Sequence, residues 1–395
     1  MKFWAVRIGS IVAAVLGCLL LQKVAGGSSD FAQRLIFLAG LYVTLAVSLN
    51  LINGITGQFS IGHAAFYQVG AYAAGFFATK FYDKAHLPPA AWLLAMMVAG
   101  GIMAALAGLC VGLPSLRLRG DYLAIVTLGF GEIIRIFAQN QESLGGAYGM
   151  KVAPRFQFIW IVWLLAIVCI ATCRNLLKTA HGLPFLAVRD DEVASSAMGV
   201  NVTKVKVTAF LLGSGFAGAA GALLAHFEGF VSPAMFTMDV SFIIVTMVVL
   251  GGTGSITGSA VAAVLLFYLP EKMRDLGDVK MATLVGVAIA IVAGVVALRK
   301  MGEKFHGGKA QQFGIGVGII VGAVVLSMIL GAGLASVPQL KVAVEGSKLR
   351  LVVFAVTLVV LMLLRPQGIF GHHEFSWSWV QRLFGKKAPT TEVAA

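Results

Sequence analysis

Residues 240–269 read VSFIIVTMVVLGGTGSITGSAVAAVLLFYL, a segment without a single charge. A run rich in glycine, serine and threonine, Gly251–Gly258, interrupts it. About 11 apolar residues precede this run and about 15 follow it, whereas one membrane-spanning helix needs about 20. The segment is therefore too short for two full spans and long for one. It predicts a chain that enters the membrane and returns as two short half-helices.

The composition extends this prediction to most of the chain. Of 395 residues, 59% are hydrophobic and only 12% are charged, with a mean hydropathy of +0.91. A soluble domain carries about 25% charged residues. These values exclude an ordinary soluble enzyme, a disordered protein and a secreted disulfide scaffold. Because lipid offers the backbone no hydrogen-bond partners, we predict an all-α, polytopic transmembrane helix bundle.

The hydropathy pattern predicts about 10–11 spans. Discontinuous or re-entrant helices are expected near 54–62 and 251–258, because both places are uncharged breaks between apolar runs. Paired broken helices are typical of transport sites and indicate two related halves. The predicted apolar segments are 5–22, 32–53, 62–79, 91–113, 121–139, 156–173, 206–227, 240–250, 255–269, 281–298, 313–335 and 349–364.

Small residues recur four apart in two segments, which predicts closely packed helices. The first row lies in 91–113 and the second in 206–227, where a parallel set runs alongside it. The rows are Gly100, Ala104, Gly108 and Gly112, and Gly213, Ala217, Gly221 and Ala225 with Ser214, Gly218 and Ala222 alongside.

Charge placement orients the chain, because cytoplasmic loops of membrane proteins collect Lys and Arg. The net charge is +13. If the polar loop 174–206 is cytoplasmic and 240–269 enters and returns, both termini also lie inside, and so do most of the excess basic residues. A single crossing at 240–269 would instead place the basic run that follows residue 298 outside.

The sequence contains no recognisable nucleotide-binding, metal-binding or catalytic motif. The run Gly254–Gly258 lacks the lysine of a nucleotide-binding loop, so no ATP hydrolysis is expected. Metal-ligand clusters, nucleophile–base pairs and basic patches for nucleic acid are all missing from the sequence.

Glu132 and Arg135 lie at i,i+3 within a predicted span, as a functional pair or as a mutually neutralised structural one.

The loop 174–206 contains a predicted short amphipathic helix between Arg189 and Asn201. Asp190 or Asp191 is expected to cap its start, and Gly199 to end it. Its apolar stripe, Ala194, Ala197 and Met198, is small, and its start is acidic, which is unlike a lipid-binding helix. The helix is better suited to a groove on a partner protein.

This loop resembles the EAA-type coupling loop of ABC importer permeases. Four further ordered blocks, 53–66, 116–133, 247–255 and 365–371, accompany the loop block 187–202. Through these five blocks the chain resembles the permease subunits of branched-chain amino-acid ABC importers, of the LivM/LivH type and closer to LivM. Two departures are an extra segment around 313–335 and Ser195, where an alanine is expected.

The resemblance implies a subunit of a bacterial inner-membrane importer that moves leucine, isoleucine and valine by alternating access. The implied partners are a second permease subunit, two cytoplasmic ATPases that hold ATP and Mg, a periplasmic binding protein and membrane lipid. The chain itself is expected to hold no cofactor and no metal, and to bind no nucleic acid.

Two sets of residues take roles from the resemblance. The ATPase-coupling set is Arg189, Asp190, Asp191, Glu192, Ala194, Ala197, Met198 and Gly199. The substrate-path set, whose glycines have helix packing as an alternative role, is Gly57, Gln58, Ser60, His63, Thr127, Glu132, Gly251 and Gly254.

The expected organisation is an N-terminal membrane anchor at 1–30, a permease core at 31–298, additional spans at 299–365 and a cytoplasmic tail at 366–395. A cleaved leader is the alternative for 1–30. Three other functions stay open: import of urea, short amides or other amino acids; an ion- or proton-coupled carrier; and a membrane-embedded enzyme.

Overall fold

The structure is a computed structural model that describes residues 2–115, 121–274, 279–280, 343–344, 368 and 371. The chain divides into two compact units, one of Met1–Phe267 with Gln367–Ala395 and one of Tyr268–Pro366. The spans predicted at 281–298, 313–335 and 349–364 lie outside the described residues. Residues 116–120 of the block 116–133 also lie outside the described residues, and so do residues 365–371 except Gly368 and Gly371.

The first unit is built almost entirely of helices. They are α1 (Lys2–Gly26), α2 (Asp30–Asn50), α3 (His63–Ala85), α4 (Pro89–Ser115), α5 (Asp121–Asn140), α6 (Ile159–Lys178), α7 (Leu183–Asp190), α8 (Glu192–Ala197), α9 (Val202–Glu228), α10 (Met238–Gly251) and α11 (Ile256–Arg274), the last of which continues into the second unit.

Short elements connect these helices. A π-helical turn, Leu51–Ile55, extends α2, and three 3₁₀ turns occupy Glu142–Leu144, Gly146–Tyr148 and Pro233–Met235. Strand β1 (Met150–Lys151) pairs antiparallel with β2 (Phe230–Val231). In the second unit, β3 (Val279–Lys280) pairs antiparallel with β4 (Ala343–Val344).

The prediction of a polytopic helical membrane bundle is confirmed. In the described part of the chain, six helices are long and apolar enough to cross a membrane. Two shorter apolar helices accompany them, Ala14–Gly26 and Ile256–Leu269. The six are Asp30–Ile55, Pro89–Pro114, Tyr122–Asn140, Ile159–Lys178, Val202–Glu228 and Pro233–Gly251.

The core forms where α9 packs against α3 and α4. The glycine row of α4 lies antiparallel to the alongside row of α9, because a Cβ at Gly100 would meet Ala222 and one at Gly108 would meet Ser214. Gly221, on another face of α9, lies against the backbone of Tyr67 in α3. The predicted small-residue rows therefore let α9 approach two helices at once.

The segment 240–269 forms a helical hairpin, as the glycine-rich break predicts. A Cβ at Gly251 would meet the backbone of Gly258 and Ser259, although residues seven apart in a continuous helix lie about 10 Å apart. Ser255 N donates to Gly252 O within the turn. Further along α11, the Phe267 ring lies 5.3 Å from that of Tyr42, so α11 runs antiparallel to α2. The chain thus reverses at 252–255.

The loop 174–206 differs in detail from the prediction. It contains two helices, α7 and α8, rather than one helix beginning near Arg189. Asp191 separates them, because its backbone is extended at φ −156° and ψ 112°. Arg189 and Asp190 therefore belong to the end of α7, and only the residues from Glu192 onward belong to the second helix.

Candidate functional site

The two interruptions predicted from the sequence meet in the structure. We call the non-helical residues 56–62 the first break and residues 252–255 the second break. Asn50, at the end of α2, is fully buried and joins α2 to the second break. Its Nδ2 donates to Ser255 O at 3.0 Å, and its Oδ1 accepts from Gly254 N at 2.9 Å.

Glycines at 54 and 254 let the two backbones touch. A Cβ at Gly54 would overlap Gly254 N and Asn50 Oδ1, so no larger residue fits at position 54. Gly254 has φ +92°, a conformation that L-residues with a side chain rarely adopt. Close backbone approach thus explains the glycine at position 54, and backbone conformation explains the glycine at position 254.

Arg189 of α7 lies against both breaks. A Cβ at Gly57, whose φ is +69°, would lie 3.2 Å from Arg189 Cγ. A Cβ at Gly254 would lie 3.1 Å from Arg189 Nη1. The guanidinium also pairs with Asp190 Oδ1 at 3.0 Å. Arg189, a residue of the predicted ATPase-coupling set, thus lies against the two breaks, while Asp190 is exposed.

The first break is held by side chains from its own neighbourhood. Asn53 Nδ2 donates to Ser60 O at 3.0 Å, and Asn53 Oδ1 accepts from Ser60 N at 3.2 Å. Gln58 Nε2 donates to Thr56 Oγ1 at 2.8 Å. Gln58 Oε1 and Ser60 Oγ are buried and have no hydrogen-bond partner among the described residues. The first break therefore keeps unused polar atoms inside the bundle.

His63 and Thr127 fix the end of the first break where α3 begins. His63 is fully buried, and its Nε2 shares a 2.9 Å hydrogen bond with Ser48 Oγ, while its Nδ1 has no partner in the described ranges. Thr127 Oγ1 of α5 accepts from Ile61 N at 3.2 Å. The helix α3 is also held by α10, since Ala64 N donates to Ser241 Oγ at 3.1 Å.

Glu132 stands apart from this meeting point. Its carboxylate pairs with Arg135 Nη2 at 2.8 Å within α5, and both side chains are partly exposed. The i,i+3 pairing predicted from the sequence is confirmed. Gly251, the remaining predicted path residue, packs against Gly258 across the hairpin rather than toward the first break.

The start of α8 is fastened from two sides. Asp191 Oδ1 accepts from Val193 N at 2.8 Å and from Ala194 N at 2.9 Å, which confirms the predicted cap. Glu192 Oε2 pairs with Lys206 Nζ of α9 at 2.8 Å, and this lysine is buried. Glu192 therefore attaches α8 to the first turn of α9.

The opposite face of α8 is open. Met198 is 84% exposed and Val193 is 66% exposed, and Ala194 and Ala197 are exposed beside them. Gly199, with φ +85°, ends the helix in open space, since a Cβ there would meet nothing within 4 Å. The predicted apolar stripe is thus a small apolar surface that no described residue covers.

Sequence reasoning missed the side chains that join the elements. The predicted site residues do not include Asn50, Asn53, Ser48, Ser241 or Lys206. Asn50 and Asn53 carried a usable signal, because asparagines in an apolar span must find partners within the protein. The two helix serines carried none, since their partners lie on other helices.

Comparisons with known proteins identify the family of the chain. The family model described as branched-chain amino acid transport system / permease component matches residues 31–293, which is more than half of the chain. No solved structure matches the chain.

Three relatives illustrate the similarity. The chain is 33% identical over 327 residues to the high-affinity branched-chain amino acid transport system permease protein LivM of Salmonella typhimurium, covering 73% of this chain and 74% of the relative. It is 34% identical over 304 residues to LivM of Escherichia coli, covering 68% and 69%. The permease protein LivH of Salmonella typhimurium is 23% identical over 288 residues, covering 66% and 92%.

The LivM proteins are thus closer than LivH, as the sequence motifs predict. The family match, the LivM similarity and the apolar helices together describe a multi-pass membrane permease. The chain belongs to the family of permease components of branched-chain amino acid transport systems.

Proposed function

We propose that the chain is a transmembrane subunit of an ATP-driven importer that moves leucine, isoleucine and valine inward by alternating access. The contact of Arg189 with both breaks carries this proposal. In an ATP-driven importer, ATP hydrolysis at the cytoplasmic surface must move the helices around the path. Arg189 lies near the end of α7, the helix that precedes α8, and its side chain lies against Gly57 and Gly254.

The open face of α8 is the proposed docking surface for an ATPase. Val193, Ala194, Ala197 and Met198 form a small apolar surface, and such a helix face fits a groove on a partner. The Glu192–Lys206 ion pair fastens α8 to α9, so a displacement of α8 is passed to α9. Asp191 and Gly199 set the two ends of α8. ATP and Mg belong to the partner ATPases in this proposal, and the chain itself holds no cofactor.

The Arg34–Glu228 ion pair marks one end of the bundle. These residues lie near the start of α2 and at the end of α9, at 2.9 Å from each other, and so mark the end of the bundle opposite the loop 174–206. We place that end on the periplasmic side, with the loop and both termini in the cytoplasm. A periplasmic binding protein would deliver substrate there, and a second permease subunit would complete the path.

We propose the division of the chain that the hydropathy pattern predicts. Residues 1–30 anchor the chain, 31–298 form the permease core, 299–365 add further spans, and 366–395 form a cytoplasmic tail. The substrate class rests on the matched family and on the names of the LivM and LivH relatives.

Reconstitution in liposomes tests the proposal. The chain, its second permease and the ATPases are inserted together, and the binding protein is added outside with labelled leucine. Uptake is expected only with enclosed ATP and is expected to persist when ionophores remove all ion gradients. Uptake by this chain alone, driven by an ion gradient, would show a secondary carrier instead. Preference for urea or short amides over leucine would overturn the substrate assignment.

A variant tests the coupling step. Arg189→Met removes the guanidinium that lies against both breaks, and we expect uptake per ATP hydrolysed to fall about tenfold, while the ATPases still bind. Lys178→Met is the control, because Lys178 is an exposed cation near the same loop. Equal uptake per ATP in the two variants would contradict the role of Arg189.

A further inference from the structure

The side chains of Gln68 and Tyr72 in α3 lie in the interior, and their polar atoms have no hydrogen-bond partner among the described residues. Gln68 is 1% exposed, and neither Nε2 nor Oε1 has a partner in the part of the chain that the structure describes. Tyr72 is 5% exposed, and its hydroxyl also lacks one there. Neither residue is explained by the glycine breaks, the coupling loop or the small-residue packing of α9.

The two side chains share one face of α3, because residues four apart are neighbours on a helix. The boundaries of this face follow from the adjacent residues. Gly75, one turn beyond Tyr72, lies against Met150 and Val152, next to the β1–β2 ribbon. Ala65, one turn before Gln68, lies 3.8 Å from a Cβ built at Gly131 of α5. The face therefore runs from the ribbon inward to the first break.

An aromatic wall stands beside the polar pair. The ring of Phe236 is buried and lies 6.5 Å from that of Tyr72 and 5.1 Å from that of Tyr67. The surroundings thus combine hydrogen-bonding groups with an apolar surface. A binding site for a small amphipathic molecule needs this combination.

Packing alone does not account for a glutamine at position 68. A buried amide without partners is costly, since it loses its water and gains nothing in return. Methionine or leucine would fill the same volume without that cost. A polar group retained under these conditions indicates a partner that is present only part of the time.

We propose that Gln68 and Tyr72 form an internal binding site for a free α-amino acid. The inference rests on the proposed function and deepens it. The Gln68 amide offers donors to the carboxylate and an acceptor to the ammonium group, and the Tyr72 hydroxyl adds a further contact to either group. Phe236 takes the aliphatic side chain. The site lies between the β1–β2 ribbon and the first break, where a substrate would pass.

The variant Gln68→Met tests the site in the complete importer. Hydrogen bonds to charged groups are lost, so leucine uptake per ATP hydrolysed is expected to fall about tenfold to a hundredfold. The thermal midpoint of the purified chain is expected to stay the same or rise, because an unpaired amide has been removed. A merely structural glutamine would give a lower midpoint and unchanged uptake per ATP.

Tyr72→Phe is the second variant, since it removes only a hydroxyl and keeps the ring. Its uptake per ATP is expected to fall several-fold. Thr44→Val is the matched control, because the Thr44 hydroxyl is equally buried but bonded to Gly40 O of its own helix. Normal uptake per ATP in both Gln68→Met and Tyr72→Phe would overturn the site alone. Failure of the unaltered importer to take up any amino acid with ATP would instead overturn the proposed function, and the site with it.

Discussion

The two breaks interrupt the bundle in opposite ways. The second break is a tight turn whose backbone is bonded by Asn50 and whose flanking glycines, Gly251 and Gly258, touch. The first break is longer, is held by Asn53 and Thr56, and leaves Gln58 Oε1 and Ser60 Oγ buried without partners among the described residues. Under the proposed function we expect a division of labour, in which the second break fixes the geometry and the first break offers polar groups to a passing solute.

The largest effect is expected where the π-helical turn Leu51–Ile55, just before the first break, touches the second break. Gly54→Ala places a Cβ against the backbone of Gly254 and the amide of Asn50, which are hydrogen-bonded to each other. We expect a loss of about 3 kcal/mol or more in the free energy of unfolding, or failure to assemble. Thermal unfolding of the purified chain in detergent measures this.

Gly129→Ala is the control for Gly54→Ala, because a Cβ at Gly129 in α5 would meet nothing within 4 Å. A helical alanine there should be neutral or slightly stabilising. Similar unfolding temperatures for the two variants would show that the breaks do not depend on close backbone contact.

The next effect tests whether Asn50 holds the second break. Asn50→Leu removes two buried hydrogen bonds while keeping a side chain of similar volume. We expect about 2–3 kcal/mol of destabilisation, followed by faster hydrogen exchange at the amides of Gly254 and Ser255. If exchange at these amides stays as slow as in the unaltered chain, the hairpin is held by its own turn rather than by Asn50.

The smallest expected changes in stability compare a serine just after the second break with a serine in the first break. Ser259→Ala, just after the second break, removes a hydroxyl that donates to Ser255 O at 3.0 Å, and about 1 kcal/mol of stability should be lost. Ser60→Ala removes a hydroxyl without a partner in the described chain, so stability should change by less than about 0.5 kcal/mol.

Leucine uptake by the importer should show the reverse order, with the Ser60→Ala importer the slower of the two. If Ser60→Ala destabilises the chain as much as Ser259→Ala and leaves uptake intact, both breaks are structural and the division of labour is wrong.

Much of this arrangement was predictable from local sequence. Two uncharged glycine-rich runs between apolar segments are enough to predict two breaks. The apolar segments beside the second run are shorter than the about 20 residues that a helix needs to span the membrane. Asp191 and Gly199 are recognisable as helix ends because capping depends on the residues immediately beside them. The division of the loop into α7 and α8 escaped prediction, because both sides of Asp191 favour helix and only its own extended backbone separates them.

The sequence by itself determined that this is a helical membrane protein, where its chain is broken and which residues cap and end α8, because hydropathy and capping act over neighbouring residues. Only the tertiary structure decided that Asn50 bonds to Gly254, that Arg189 lies against both breaks and that Gln68 is buried without a partner among the described residues. These relations join residues far apart in the chain, and their partners are set by how helices pack rather than by any local pattern.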